Sequence, residues 1–199
     1  MTHIIETVIS EITERNDMRI IDHPDAKAFI LHWGEMGTHW GVNRSVAQVH
    51  ALLYLSDRPL TADEIVETLT LARSNVSTAL KELQGYSIVR RVHVEADRRD
   101  HFTAETDLWD MLMRIVAERK RREIDPTIAL LAELAKKMAN DPDTPAHLRE
   151  RVTRMHEFMA TLSGWYDQVR TLPKNTLVTL MKLGSKVARF IPGSDKKSG

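Results

Sequence analysis

Cysteine is absent from this 199-residue chain, which removes disulfides, thiolate metal sites and thiol-based redox sensing from the chemistry open to it. Net charge is absent too, with 28 Lys and Arg against 28 Asp and Glu. A protein that binds a polyanion draws much of its affinity from neutralising phosphates, so contact with nucleic acid must come here from a local basic patch. No apolar run approaches the roughly 20 residues needed to span a bilayer, and the first residues lack a signal peptide's cationic start and apolar block. The expectation is a cytoplasmic chain with no membrane association. A glycine-rich phosphate loop, a cysteine nucleophile and a Ser-His-acid set placeable from spacing are also missing, so no enzyme and no cofactor is expected.

What is present is ample material for a core, 42% hydrophobic residues, and an uneven spread of charge. Acids dominate residues 1 to 40, while Arg90, Arg91, Arg98 and Arg99 cluster. The organising stretch is 61 to 102, centred on Ala72 to Gln84. Read as a helix, it sets Val76, Ala79, Leu80 and Leu83 on one stripe at the spacing that packs against a core. The opposite face carries Ser74, Ser77, Thr78 and Lys81, with Arg73 and Asn75 in the first turn. Short hydroxyls and an amide beside two cations suit a major groove, where base edges present donors and acceptors between phosphate walls. Taken alone, such a face is more often simply solvated.

The flanks sharpen the reading. Upstream, Thr61-Ala-Asp-Glu64 fits a capping box, and a short helix with Ile65, Val66 and Leu69 inward follows it. Thr70-Leu71-Ala72 is long enough only for a tight turn between two packed helices. Gly85 is expected to end the second helix in the left-handed conformation. Ile88 to Val94 then predicts a strand, Glu95 to Asp100 a charged turn, and His101 to Thr103 the returning strand. Helix, turn, helix and a two-stranded wing make a winged helix-turn-helix.

These residues carry a family resemblance. Arg73-Ser-Asn-Val-Ser77, Leu80-Lys-Glu-Leu83, Asp97-Arg-Arg-Asp-His-Phe102, Asp107-Leu-Trp-Asp110 and Glu118 to Pro126 together resemble the GbsR-like branch of the MarR superfamily of transcriptional regulators. The likeness covers roughly residues 30 to 130 and is strongest over 59 to 126. Two positions depart from the family pattern: Ala72 stands where a capping Ser is common, and Ala96 where the wing tip often has Gly.

The whole chain is predicted to be mainly α with a small β wing, in four parts. Residues 1–23 form an amphipathic helix for dimer or body packing; 24–106 the winged helix-turn-helix domain; 107–192 a helical dimerisation and effector region; 193–199 a disordered tail. Asn43 and Arg44 introduce a helix over Ser45 to Ser56 that braces the reading pair from behind, and Asp107 caps the helix after the wing. Arg119 to Arg122, the densest basic run, reads as a solvated helix face, with phosphate contact as the minority view. Pro126 is expected to start a further helix. After the break at Asp141 to Pro145, Leu148, Val152, Met155, Met159, Leu162, Tyr166 and Val169 alternate steps of four and three, a heptad seam that pairs with the preceding helix, a second subunit, or both. The basic amphipathic tail from Lys174 to Ile191 suits dimer packing better than a membrane surface.

Trp33 and Trp40 lie seven residues apart on one helix face, and Gly34, Gly37 and Gly41 beside them imply a close neighbour. The bland reading of the pair is core packing. The sharper one joins Trp33 and Trp40 with Trp109 in an effector pocket for a quaternary ammonium compound, held by cation–π attraction; the resemblance supports it, because the family's name-giving member responds to choline. His32 and His39, also seven apart, are too far separated for paired metal ligation.

The leading functional expectation is a homodimeric regulator, a repressor, that reads a near-palindromic operator in double-stranded DNA. Arg73, Ser74, Asn75, Ser77, Thr78 and Lys81 enter the major groove, Arg98 and Arg99 the minor groove, and Asp97 or Asp100 alternatively hold those arginines by ion pairing. The alternative is a winged-helix protein–protein interaction module that does not read DNA, favoured by the zero net charge.

Overall fold

The computed structural model describes residues 20–95 and 97–184. The expected helix within 1–23 falls almost wholly outside them, as do Ala96, the end of the basic tail and the segment 193–199. The chain divides into two compact units, Met1–Ile115 and Val116–Gly199.

In the first unit a short 3-10 turn, Ile20–Asp22, leads into α1, Pro24–His39, which proline opens because its fixed φ and missing N–H suit a first helical turn. Helix α2, Arg44–Leu55, is capped by the Asn43 side chain, which accepts from the Ser45 amide at 2.8 Å. Helices α1 and α2 pack side by side. Glycine makes this approach possible at two places, since a Cβ on Gly37 would sit 2.5 Å from Ala47 Cβ, and one on Gly34 would sit 2.7 Å from Gln48 Cγ. Gly41 differs: nothing lies near it, and its φ of +76° turns the chain out of α1.

Helix α2 is the centre of the core. Val49, His50, Ala51, Leu52 and Leu53 are buried in succession, a pattern that requires cover all round the helix. The cover is α1, then α3, Ala62–Leu69, and α4, Arg73–Gly85, whose stripe Val76, Ala79, Leu80 and Leu83 is buried as expected. A sheet completes it. Strands β2, Val89–Val94, and β3, Asp97–Ala104, pair antiparallel, with Arg91 opposite Phe102 and Val94 opposite Asp97. A third strand not anticipated from the sequence, β1, Leu60–Thr61, pairs on the other edge of β3, Leu60 opposite Phe102, giving the order β1-β3-β2. It is only two residues long, too short for any alternation to show.

Two other expectations are corrected. Asp97 to Asp100 is strand rather than turn, and Arg98 and Arg99 lie where the register shifts between the pairs Val92–His101 and Val94–Asp97. Gly85 does not end α4 in the left-handed region; it is the last helical residue, and Ser87 takes φ +57° instead. The Ile88 amide reaches the Leu83 carbonyl at 3.2 Å and the Ser87 amide that of Gln84 at 2.9 Å, the paired closure that needs left-handed backbone two residues further on. Burial of both Ile88 and Leu83 across this closure fixes where it forms.

The last helix of the first unit is α5, Leu108–Arg119, and the division between units falls within it. Asp107 caps it, accepting from the amides of Trp109 at 2.9 Å and Asp110 at 3.0 Å. The helix expected at Pro126 is present, with the proline in its first turn, and it follows α5 without a loop. The backbone stays helical from Leu108 to Ala139, because Lys120–Ile124 widen into a π-turn before α6, Asp125–Ala139. Proline has no N–H to give and its ring crowds the carbonyl four residues back; a wider turn accommodates both. Helix α6 packs against α7, Ala146–Val169, and Lys120 joins Asp125 at 2.7 Å and Asp167 at 3.2 Å. A short α8, Lys174–Leu183, follows.

Two substitutions test this packing by urea denaturation. Gly37→Ala should cost about 1–3 kcal/mol, because the opposing atom is itself a short, rigid Cβ. Ser87→Gly should instead gain about 0.5–1 kcal/mol by relieving a left-handed residue. A higher midpoint for the first or a lower one for the second contradicts the account.

Candidate nucleic-acid interface and an aromatic cavity

Local chemistry sets the two helices of the interface. Thr61 is both the end of β1 and the cap of α3: its hydroxyl accepts from the Glu64 amide at 3.2 Å, and the Glu64 carboxylate accepts from the Thr61 amide at 2.7 Å. Arg58 adds an ion pair to Glu64 at 2.7 Å. Burial opposes ionisation of Glu64, but the bonds from Thr61 and Arg58 outweigh it and hold the carboxyl below its ordinary range. The turn to α4 is the expected three residues, with Thr70 at φ +52°, a conformation a β-branched residue adopts only under constraint. Ala72 sits at the cap position of α4 with no side chain to cap it, as its sequence implied.

From that start, Arg73, Ser74, Asn75, Ser77, Thr78 and Lys81 are all exposed. A cleft of about 440 Å³ lies between α4 and the sheet, and it gathers Arg73, Ser77 and Lys81 from the helix with Arg99 from β3. Ser74, Asn75, Thr78 and Arg98 do not line it. Acids hold two of the candidate arginines and one neighbour. Arg73 pairs with Asp63. Arg99 clasps Asp97 through its backbone amide and Nε, each at 3.0 Å, and this clasp keeps the Asp97 carboxyl well below the usual range. Arg91 pairs with Asp100 at 3.0 Å, so the two acids serve different arginines. His101, buried behind them, lies 3.5 Å from Asp97. Asp63 and Gln84, the latter also on the cleft wall, carry no distinguishing signal in the sequence; Asp63 is hidden inside the capping motif, and its partner lies ten residues on.

The tryptophans separate. Phe29 stacks on Trp33 with ring centroids 5.5 Å apart, and Trp40 meets Trp33 edge-on at 5.6 Å. A cavity of about 270 Å³ is lined by Phe29, Trp33, His50, Ala51, Tyr54, Leu108 and Met111. Trp33 therefore faces a cavity; Trp40, 51% exposed, and Trp109 do not line it. Among the described residues, no group of three His, Cys, Asp or Glu is placed to hold a metal ion, and no helix is long and apolar enough to cross a membrane.

The cap yields a prediction with a pH sign. A carboxyl whose pKa is lower folded than unfolded stabilises the fold above its ordinary range, and that contribution disappears as pH falls through the depressed value. Thr61→Ala should cost about 1–2 kcal/mol near neutrality, and the gap from the parent should narrow in acid once Glu64 is protonated. A gap that widens on acidification speaks against the cap as its source.

Comparison with known proteins agrees with this geometry. Residues 40–100 match the family model described as "MarR family". The chain is 22% identical over 161 residues to the HTH-type transcriptional repressor GbsR of Bacillus subtilis (strain 168), across 79% of this chain and 85% of that one. To the HTH-type transcriptional repressor OpcR of the same organism it is 18% identical over 179 residues, across 90% and 95%. A solved structure described as a transcriptional regulator superposes with a TM-score of 0.55 at 21% identity, covering 73% of this chain and 99% of that one, which is a likeness of fold. The matched segment holds the helix-turn-helix and most of the wing, so in this part the chain is similar to the MarR family, and its fold is that of a winged helix-turn-helix.

Proposed function

We propose that the protein is a homodimeric repressor that reads a near-palindromic operator and is released by a small-molecule effector. The observation that carries the DNA reading is α4 itself: its apolar stripe is buried while every candidate contact residue is exposed along one face, beside a wing that holds more arginine. Asn75 offers the paired donor and acceptor that adenine requires, and Ser74, Ser77 and Thr78 suit bases or phosphate. Arg98 is exposed and has no ion pair among the described residues, so it is ready for phosphate or a narrow minor groove. Arg73 and Arg99 must first exchange a carboxylate for DNA. Exposed ion pairs of this kind are worth about 0–1 kcal/mol, so the exchange is cheap.

Support for a repressor comes from the similarity to GbsR and OpcR, both described as transcriptional repressors. Support for a dimer comes from α7. The seven seam residues divide: Val152, Met159, Tyr166 and Val169 are half-buried, while Leu148, Met155 and Leu162 are exposed. Phe158 and Trp165, at 67% and 60% exposure, extend the exposed set along the helix at steps of three and four. A second copy of this chain is the occupant that a self-complementary stripe favours, and a two-fold pair would set recognition helices roughly 34 Å apart.

Three measurements test this reading. Replacing Arg98 and Arg99 together by Ala should weaken binding to all duplexes and lower the salt slope by about one for each phosphate left without its cation. Asn75→Ala should relax base preference at one position by about 1–3 kcal/mol. Leu162→Glu should convert a dimer into a monomer in sedimentation and lower operator affinity. Parent-like DNA binding by both DNA-face variants, with no salt dependence, would favour a protein-binding module; an unchanged mass for Leu162→Glu would exclude the α7 stripe from the interface.

A further inference from the structure

We propose that Arg114 is a positioning residue for DNA reading: reaching from α5, its guanidinium clamps the chain just after α4 and the chain just after β3, and so fixes the angle between the helix and the wing. The consequence for an operator rests on the DNA reading above; the clamp itself does not.

The geometry is that of one planar group with two arms. Nη1 donates to the Ser87 carbonyl at 2.7 Å, and Nη2 lies 2.9 Å from Glu105 Oε2. Neither partner is loose. Ser87 is the residue at φ +57° that closes α4, and its amide donates to the Gln84 carbonyl at 2.9 Å. A left-handed residue other than glycine persists only where its surroundings over-determine it, and Arg114 fixes its remaining backbone group. Half-buried Glu105 is held as firmly. Its amide donates to the Ile88 carbonyl at 2.8 Å, and its Oε1 accepts from the amides of Thr106 at 3.1 Å and Asp107 at 3.2 Å. The stretch of α5 that carries Arg114 is seated in turn by Met111 and Ile115, which pack against the core.

Direction is what such a clamp adds to packing. Burial of Ile88, Val89 and Ala104 seats both strands on the core, but apolar contact is non-directional and sets depth rather than angle. Hydrogen bonds set angle. The angle matters because the wing is long: β3 has 8 residues, roughly 25 Å at about 3.3 Å each, so a turn of about 5° at its root carries the far end about 2 Å. Arg98 and Arg99 stand toward that end, and binding contacts tolerate displacements of only about 0.5 Å. Lysine does not replace Arg114, because its ammonium is a single point, whereas the guanidinium fork reaches a carbonyl and a carboxylate together.

The first test needs no DNA. Amide hydrogen exchange at Ser87 and Glu105, measured on the full chain, should quicken about three- to tenfold in Arg114→Gln, the worth of one such bond, while the buried Val49 and Leu52 exchange as in the parent. Glu105→Gln, which keeps the size of the side chain, should act in the same direction and serves in its place if Arg114→Gln does not fold. Unchanged exchange at both amides overturns the clamp; faster exchange throughout, core included, reduces Arg114 to general stability and overturns its positioning role. The second test is operator affinity of the folded variants. Arg114→Gln should weaken it about three- to tenfold, Arg114→Lys should recover only part of the loss, and Arg114→Gln should add little to a chain already carrying Arg98→Ala and Arg99→Ala, because its effect passes through the wing. Full recovery by lysine, or an undiminished effect in the wing variant, marks a direct phosphate contact and overturns the proposal, as does parent-like affinity in Arg114→Gln. A parent chain that binds no duplex DNA overturns the regulator reading, and the exchange result then decides the clamp alone.

Discussion

A helix with five consecutive buried residues persists only where apolar elements close around it on every side, and α2 imposes that demand on the first unit through Val49 to Leu53. Each large side chain so buried is worth about 1.5–3 kcal/mol, and α4 alone contributes Val76, Leu80 and Leu83. Against this stand an uncapped start at Ala72, costing about 1 kcal/mol, and left-handed Thr70 and Ser87, about 1–2 kcal/mol each. Packing wins, so α4 holds its place although its two ends are locally unfavourable. Those ends are also where its polar face begins and where the chain turns into the wing.

Electrostatics then acts on a surface whose position is already set. With zero net charge the protein has no general attraction for polyanions, and the acids Asp63, Asp97 and Asp100 lower the field further where arginines gather. Such pairs give way to phosphate at little cost but gain nothing from a poorly placed one. A chain built in this way loses more affinity on non-specific sites than on a site that presents phosphate and base edges together, because only the latter repays the separation of each pair.

Local signals in the sequence are the readable ones. The capping box, the three-residue turn, the buried stripe of α4 and the caps at Asn43 and Asp107 each depend on residues within a few positions of one another, and each appears in the structure. The features that the sequence hides depend on partners further away. Strand β1 exists because Phe102 and His101 come beside Leu60 and Thr61, and β3 extends back to Asp97 because Asp97 pairs with Val94 across a register shift. Gly85 yields to Ser87 because burial of Ile88 sets the closure. Pro126 does open an α-helix, but the π-turn that joins it to the helix before it has no signal in the sequence. In the candidate site, the exposed face of α4 is legible, but Asp63 as the partner of Arg73 is not. His50 is not either, because enclosure by α1 and α5 leaves no trace in periodicity.

Helix α2 thus lies under α4 and against the aromatic cavity, so the two share one support. A molecule that fills the cavity bears on α2 from the side of Trp33 and Tyr54, while α4 bears on it through Val76 and Leu80. A ligand there shifts α4 only where it binds one seating of α4 on α2 more tightly than another. The cavity ligand and the operator would then each bias the same equilibrium, and linkage requires that bound operator alter ligand affinity by the factor with which ligand alters operator affinity. Gly34 and Gly37 bring α1 close against Gln48 and Ala47, so the wall that carries Trp33 is packed tightly on α2.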